Sequence, residues 1–186
     1  MYPFGRTNMI IAFIGYKQRG KSTASKYLQG KYDFKPHNFK DALIEEIKTY
    51  FPDFIKKECE LYNCTPEELF EKKPGHIRQL MQNFGTELRR KENKNYWINK
   101  WWQNSQHESK IVVDDCRFLN EAEEIKIRNG IIIKIIRTGQ VNIDKHESET
   151  EMNDIIPDYT IEVGTGEHDK LYEQLDKIID KLATKQ

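Results

Sequence analysis

Cysteine is scarce. Cys59, Cys64 and Cys116 are the only three in 186 residues, too few and too irregularly spaced for a disulfide framework or a paired zinc site, so the sequence reads as that of a protein in a reducing compartment. No apolar run approaches the about 18 residues needed to span a bilayer. Met1 to Met9 also lacks the basic-then-apolar order of a signal peptide, and the expectation is a soluble, cytoplasmic protein without a membrane partner. Net charge is absent too: 30 Lys and Arg cancel 30 Asp and Glu, so nothing in the overall balance points to a nucleic-acid backbone, and any recognition of phosphate has to be local. Internal repeats, low-complexity tracts and linkers are missing as well. The 186 residues therefore read as a single domain, 1–186, long enough to bury a real core.

What is present alternates between strand and helix signals. Met9 to Ile14 is a short continuous apolar run that stops at Gly15, the pattern of a strand buried on both faces in a parallel sheet. Lys21 to Gln29 then reads as a helix, and Phe34 to Phe39 as a weaker strand. Asp41 can cap a helix carrying Leu43, Ile44, Ile47, Tyr50 and Phe51 until Pro52 stops it. Thr65-Pro66-Glu67-Glu68 combines an N-cap, a first-turn proline and a capping-box glutamate. In the helix that follows, Ile77, Met81, Phe84 and Leu88 form an apolar stripe, beside a polar stripe of Arg78, Gln82, Gly85 and Arg89. Arg89, Arg90 and Lys91 read as a solvated helix end. Tyr96, Trp97, Ile98, Trp101 and Trp102 suit an aromatic core, and would serve a homodimer face equally. Lys110 to Val113 and Ile131 to Ile136 are strands flanking a helix over Asn120 to Asn129, which Gly130 ends. A polar, aperiodic stretch from Thr138 to Pro157 reads as a mobile loop or lid. A strand at Tyr159 to Val163 and a helix with Leu171, Leu175, Ile178, Ile179 and Leu182 on its buried face complete an α/β fold, a three-layer sandwich around a mainly parallel sheet.

Gly15-Tyr16-Lys17-Gln18-Arg19-Gly20-Lys21-Ser22 matches the phosphate-binding P-loop pattern G-x-x-x-x-G-K-[ST] at every fixed position, between a strand and a helix signal. In such a loop the glycines let backbone N–H groups close around phosphate oxygens, and the helix N-terminus adds positive potential. Gly15, Arg19, Gly20, Lys21, Ser22 and Thr23 form the expected ATP-binding set: Lys21 reaches the β- and γ-phosphates, Ser22 ligates Mg²⁺ and Thr23 adds a hydroxyl. Asp114 and Asp115 end an apolar strand, as the acid that holds Mg²⁺ does, and Arg117 follows close enough to face bound phosphates. No asparagine-lysine-x-aspartate guanine-reading element occurs, which excludes a regulatory GTPase and favours a small-molecule kinase. Its acceptor needs a second cationic set, for which Lys17, Arg78, Arg117 and Arg137 are the candidates. Gly85, costly in mid-helix, reads there as room for a nucleotide.

These residues together resemble the deoxynucleoside monophosphate kinases of the bacteriophage and large-virus type. The resemblance rests on G-x-K-x-x-G-K-S-T at Gly15 to Thr23, R-x-L-M-Q-x-x-G-T-E at Arg78 to Glu87, and V-V-D-D-C-R-F-x-N-E at Val112 to Glu121. An H-x-S-E element at His146 to Glu149 and a D-Y-x-I ending at Asp158 to Ile161 extend it over most of the chain. It implies a P-loop nucleoside monophosphate kinase fold and transfer of the γ-phosphoryl of ATP, with Mg²⁺, to a deoxynucleoside monophosphate for DNA precursor supply. By motif position, Lys17 would touch the acceptor phosphate, Arg78 would clamp the acceptor nucleotide, Gln82 would sit near its base and Arg117 would bridge the phosphates. Arg137 would open the lid, with His146, Ser148 and Glu149 inside it, and Asp158 to Gly166 would lie near the adenine. The chain departs from relatives at Ala42 and Ile44, where they often carry proline and lysine, and at Val163, where they often carry asparagine. The resemblance therefore leaves the accepted base open.

Two other readings stand beside it. A related P-loop kinase acting on phosphomevalonate or dephospho-coenzyme A would show a similar loop, aspartate strand and basic lid. An ATP-dependent switch or nucleic-acid-binding module is disfavoured by the zero net charge and the lack of a basic stripe.

Overall fold

A computed structural model describes residues 9–138 and 151–184. Its strands are β1 (Met9–Ile14), β2 (Lys35–Pro36), β3 (Lys110–Val113), β4 (Ile131–Arg137) and β5 (Tyr159–Val163). They form one sheet in the order β2-β3-β1-β4-β5, and every pairing is parallel. The helices are α1 (Lys21–Tyr32), α2 (Phe39–Tyr50), α3 (Pro52–Tyr62), α4 (Pro66–Lys72), α5 (Gly75–Gln82), α6 (Tyr96–Ser105), α7 (Leu119–Ile127) and α8 (His168–Ala183). The chain divides into two compact units: one runs up to Asn38 and resumes at Ser105, and the other is Phe39–Asn104.

The first unit is the α/β sandwich that the alternation of signals predicts. β1 is central, so both its faces are covered and it tolerates no polar residue; Ile10 to Ile14 are all buried. Ile11 and Phe13 face one way, packing with Ile133, Ile135, Ala24 and Leu28 of α1, and Leu171 and Leu175 of α8. Ile10 faces the other way, toward α7: a Cβ on Gly130 would meet both Ile125 and Ile10. Behind the sheet, the Asp176 carboxylate of α8 ties down α1. It accepts from the hydroxyls of Tyr27 and Tyr32 and from Lys31 Nζ, each at 2.7 Å, while Tyr27 stacks on Tyr172 with ring centroids 4.1 Å apart.

The second unit is helical. Pro52 ends α2 and also opens α3 as a first-turn residue, a double role that the sequence reading gave only its first half. Thr65 caps α4 through the expected capping box, with Glu68 N–H donating to Thr65 Oγ1 at 3.2 Å and Thr65 N–H to Glu68 Oε2 at 2.9 Å. Leu43, Ile47, Ile55, Leu69, Phe70, Ile77, Phe84 and Trp97 form its core. Trp97, Ile98 and Trp101 are buried, as an aromatic core requires.

Several expectations are corrected. The strand read over Phe34 to Phe39 contracts to Lys35–Pro36, because Phe39 already belongs to α2 and Asp41 sits in its first turn rather than at its cap. α7 starts at Leu119 and stops at Ile127, with Asn129 taking the left-handed backbone (φ 58°) ahead of Gly130. The largest departure follows α5. Residues Asn83–Arg90 continue it as a π-helix, whose wider turn closes on i+5 rather than i+4. Leu88 therefore leaves the core stripe and is 45% exposed, and Arg89, five residues beyond Phe84, comes back over it. The Arg89 guanidinium lies 5.3 Å from the Phe84 ring centroid, 5.6 Å from that of Tyr50 and 5.2 Å from that of Tyr96. Its Nε–H donates to Glu46 Oε2 at 3.1 Å, and the Tyr96 hydroxyl donates to Glu46 Oε1. Arg89 is thus a packed residue and not part of a solvated helix end. Gly85 is corrected as well: it is buried, a Cβ there would meet Leu43 Cδ2 at 3.0 Å, and its carbonyl accepts from Trp97 Nε1–H at 3.0 Å, so its lack of a side chain serves helix packing.

Replacing Arg89 by Ala should cost about 2 kcal/mol of unfolding free energy, since it removes a cation from three aromatic faces and leaves Glu46 short of a partner. Denaturant titration checks this, and a change below about 0.5 kcal/mol, the range of an ordinary surface substitution, would return Arg89 to the solvated class.

The Asp176 cluster predicts a pH dependence. Partial burial opposes ionisation of Asp176, but the bonds from Lys31, Tyr32 and Tyr27 outweigh it and hold the carboxyl below its usual range. Its stabilisation is present above the unfolded carboxylate pKa and is lost as pH falls through the depressed folded value. Burial and the bond to Asp176 push Tyr32 up to about 12. That contribution is complete below the unfolded tyrosine value and disappears as pH rises toward about 12. Asp176→Asn should lower Tm at neutral pH, with the gap to the unaltered protein closing in strong acid. A gap independent of pH would contradict the assignment.

Candidate functional site

The register of the sheet decides what can meet at the end of β1. Ala12 pairs with Val113, so Phe13 and Ile14 run level with Asp114 and Asp115 beyond the end of β3. On the other side Ile14 pairs with Lys134, so Gly15 runs level with Ile135 and β4 continues to Arg137. Adjacent strands lie about 4.8 Å apart. The carboxyl end of β1, where the strand order changes direction, is therefore flanked by two acids on one side and an arginine on the other.

Gly15 and Gly20 shape the loop between β1 and α1. Gly15 has φ 137°, and a Cβ there would stand 2.4 Å from the Ile135 carbonyl oxygen; Gly20 has φ 101° and is the residue from which α1 springs. Lys21 is buried, and its ammonium donates to Gly15 O at 2.5 Å and to Tyr16 O at 2.9 Å, which curls the loop over its own first helical residue. Ser22 is exposed at the N-terminus of α1 and Thr23 is half-buried beside it. Lys17 points out of the loop and is exposed. Arg19 is buried: its Nη1 donates to Arg137 O at 3.1 Å, while Arg137 Nε donates to Arg19 O at 3.3 Å. This reciprocal pair fixes Arg137 against the loop, where its guanidinium lies 3.3 Å from the place of a Cβ on Gly20.

The β3 end is held from behind. Asn38 Oδ1 accepts the Asp114 N–H at 2.8 Å, and His37 N–H donates to Val112 O at 3.0 Å. Burial lowers the pKa of the His37 imidazole, against the pull of the Glu108 carboxylate 3.9 Å away. Asp114, Asp115 and Arg117 are half-buried around a fully buried Cys116. The turn that carries Arg117 rests on Glu121, a buried carboxylate whose Oε2 accepts the N–H groups of Arg117 at 2.9 Å and Phe118 at 3.2 Å. Glu121 lies inside the motif that the sequence reading used, but its supporting role has no signal in spacing, because any glutamate three residues into a helix reads as a capping residue.

In the second unit Arg78 and Gln82 lie one turn apart on α5, both half-buried, next to buried Ile77. The first unit thus gathers Gly15, Arg19, Gly20, Lys21, Ser22, Thr23, Asp114, Asp115, Arg117 and Arg137 at one sheet end, and the second carries Arg78 and Gln82 together. His146, Ser148, Glu149 and most of the stretch read as a lid lie outside the described residues. The remainder of that stretch is ordered around a 3₁₀ turn, Met152–Asp154. Met152 is buried and its Sδ accepts the Gly15 N–H at 3.2 Å, a contact that sequence reading missed because an isolated methionine in a polar stretch carries no pattern.

The oxygen donors at this sheet end suit a hard cation. Ser22 offers a hydroxyl and Asp114 and Asp115 offer carboxylates, the ligand types that Mg²⁺ prefers alongside water and substrate phosphates. Among the described residues no group of three or more His, Cys, Asp and Glu could hold a metal ion by itself. None of the described helices is long and apolar enough to cross a membrane.

Comparison with known proteins bears on the family and the fold. A protein of Acanthamoeba polyphaga mimivirus that carries the provisional name deoxynucleotide monophosphate kinase is 28% identical over 193 residues, covering 92% of this chain and 96% of its own. Among solved structures, an uncharacterised kinase of Chloroflexus aurantiacus superposes with a TM-score of 0.50 at 12% identity, covering 96% of this chain and 98% of its own, which shows the fold alone. Dephospho-CoA kinase from Campylobacter jejuni follows at a TM-score of 0.47 and 13% identity, covering 97% and 98%, a likeness too slight to bear on substrate. Residues 56–174, more than half of the chain, match the family described as deoxynucleotide monophosphate kinase, and the chain belongs to that family.

Proposed function

We propose that the protein transfers the γ-phosphoryl group of ATP to a deoxynucleoside 5′-monophosphate, giving a deoxynucleoside diphosphate and ADP for DNA precursor synthesis. The observation that carries this reading is the meeting of a P-loop, an acid pair and Arg117 at the carboxyl end of β1, in a chain of this family.

The chemistry asks for positioning and for stabilisation of charge rather than for a covalent intermediate. The backbone of the Gly15 to Gly20 loop receives the phosphates of ATP, with Arg19 keeping the loop's shape from inside. Ser22 and Thr23 present hydroxyls at the start of α1. Ser22, Asp115 and Asp114 would hold Mg²⁺, which when bound neutralises charge on the β- and γ-phosphates. An oxygen of the acceptor phosphate forms the new bond to Pγ while the bond from Pγ to the bridging oxygen of ADP breaks. Lys21, Arg117 and Arg137 stabilise the charge that spreads over the transferring group. On the first unit Lys17 touches the acceptor phosphate and Arg117 bridges the phosphates; on the second, Arg78 offers the acceptor nucleotide a planar fork and Gln82 a contact to its base.

ADP release with Mg·ATP should be seen with one or more deoxynucleoside monophosphates, tested against every ribonucleoside monophosphate, phosphomevalonate and dephospho-coenzyme A. Turnover confined to the last two would overturn the proposal.

Lys21→Ala should slow transfer at least about a hundredfold with every acceptor, because little else can replace an electrostatic contact to the transferring group. Near-normal turnover would remove Lys21 from the mechanism. Arg78→Ala should raise the acceptor KM about tenfold, roughly 1.4 kcal/mol of lost binding, and leave ATP affinity measured without acceptor unchanged. Weakened ATP binding with an unaltered acceptor KM would assign Arg78 to the donor.

A further inference from the structure

Three consecutive residues, Glu151, Met152 and Asn153, touch both loops of the site in the first unit. Met152 Sδ accepts the Gly15 N–H at 3.2 Å; Asn153 Oδ1 accepts the Tyr16 hydroxyl at 2.6 Å; Glu151 Oε2 accepts the Leu119 N–H at 3.1 Å, at the first residue of α7. Two of these bonds fall on consecutive residues of the P-loop. The third falls on the turn that Glu121 supports and that carries Arg117. The turn is itself fixed: Met152 and Ile155 are buried, and three residues on, Asp158 exchanges bonds with Ile132 of β4, its N–H donating to Ile132 O at 2.8 Å and its Oδ2 accepting Ile132 N–H at 2.7 Å.

From this arrangement we infer that Glu151–Asn153 is a positioning element that holds the P-loop and the Arg117 turn in register with each other, with Met152 and Asn153 acting on the P-loop side. Gly15 makes the need concrete. Its φ of 137° suits only glycine, and its N–H lies in a buried setting, where a donor without an acceptor would be costly. A thioether is a weak acceptor but a compact apolar one, so it meets that donor inside the core without introducing a competing charge. The Tyr16 bond then fixes the next residue, whose carbonyl, like that of Gly15, receives Lys21 Nζ. The chain of contacts therefore runs from Asn153 and Met152 through two P-loop residues to the ammonium that the reaction needs.

The inference rests on the kinase reading for its kinetic consequence but not for its structural one, so the test has two arms. In the first, amide hydrogen exchange is measured at Gly15 and Tyr16 in the unaltered protein and in Met152→Leu, Asn153→Ala and Tyr16→Phe. Exchange at these amides should quicken several-fold in Met152→Leu and Asn153→Ala while that of β1 stays unchanged. In the second, with the acceptor on which the unaltered protein turns over, both variants should lower kcat three- to tenfold with ATP KM within twofold; Asn153→Ala, at an exposed position, should leave Tm nearly unaltered, while Met152→Leu, which orphans the buried Gly15 N–H, should lower it by a few degrees. Asn153→Asp, which keeps an acceptor for Tyr16, should recover most of the rate. The double variant Tyr16→Phe/Asn153→Ala should be no slower than the worse single one.

Unchanged exchange at Gly15 and Tyr16 would overturn the inference. So would a fall in kcat of Asn153→Ala that tracks a fall in Tm and is not rescued by Asn153→Asp. If the unaltered protein turns over no monophosphate, the functional reading fails by itself, and the exchange arm still decides whether this turn positions the P-loop.

Discussion

The Ile135 carbonyl oxygen stands 2.4 Å from where a side chain at position 15 would begin, and the site in the first unit depends on that contact. β1 lies between β3 and β4 in parallel register, so its chain must leave the sheet through a gap one strand wide and turn at once above Ile135. Only a residue without Cβ passes, and only glycine takes the backbone angle that the turn needs. Once the chain has turned there, Lys21 falls back over Gly15 and Tyr16, α1 starts at Gly20, and the ends of β3 and β4 stand on either side. The acids at 114 and 115 and the arginine at 137 belong to this site by strand register, before any of their own side-chain interactions are counted.

A different constraint organises the second unit. A π-helical stretch gives up regular α geometry, which is unfavourable unless the altered facing of its side chains repays it. Here the wider turn moves Leu88 outward and Arg89 inward, onto Phe84, Tyr50, Tyr96 and Glu46, and brings the Gly85 carbonyl to the indole N–H of Trp97. The gain is a cation desolvated on several faces and paired with a carboxylate, the setting in which cation–π contacts are strongest. Arg78 and Gln82 precede the π-helical stretch, so their one-turn spacing on α5 is that of an ordinary helix.

How much of this was legible in the sequence follows from which interactions are local. The β1–loop–α1 unit was readable because its apolar run, its two glycines and its lysine-serine pair are each demanded by backbone geometry within 14 residues, Met9 to Ser22. The Thr65 capping box was readable for the same reason. The π-helix was not, since Ile77, Met81, Phe84 and Leu88 fit α spacing, and the side chains that favour the wider turn lie outside it, on α2, 43 residues back in the case of Glu46, and on the following α6. Gly85 misled similarly: a glycine spaced for close packing against Leu43 looks the same as one spaced for a ligand. Met152 and Asn153 were illegible because the bonds that tie them to Gly15 and Tyr16 span 137 residues, and a long-range bond leaves no periodicity.

The P-loop is thus built from inside out. Its carbonyls at Gly15 and Tyr16 receive Lys21, its Gly15 N–H finds Met152, its Tyr16 hydroxyl finds Asn153, and its Arg19 exchanges backbone bonds with Arg137 at the end of β4. In the proposed reaction a phosphate drawn to Lys21 competes with two carbonyl oxygens at hydrogen-bonding distance, so part of its interaction energy replaces bonds that the protein already makes. That lowers the net affinity but leaves the loop's geometry specified by the fold, and geometry is what phosphoryl transfer demands most. In the proposed reaction Lys21 exchanges carbonyl bonds for the phosphate while the rest of the loop stays where the fold holds it, and preorganisation of that kind matters more to rate than tight ground-state binding does.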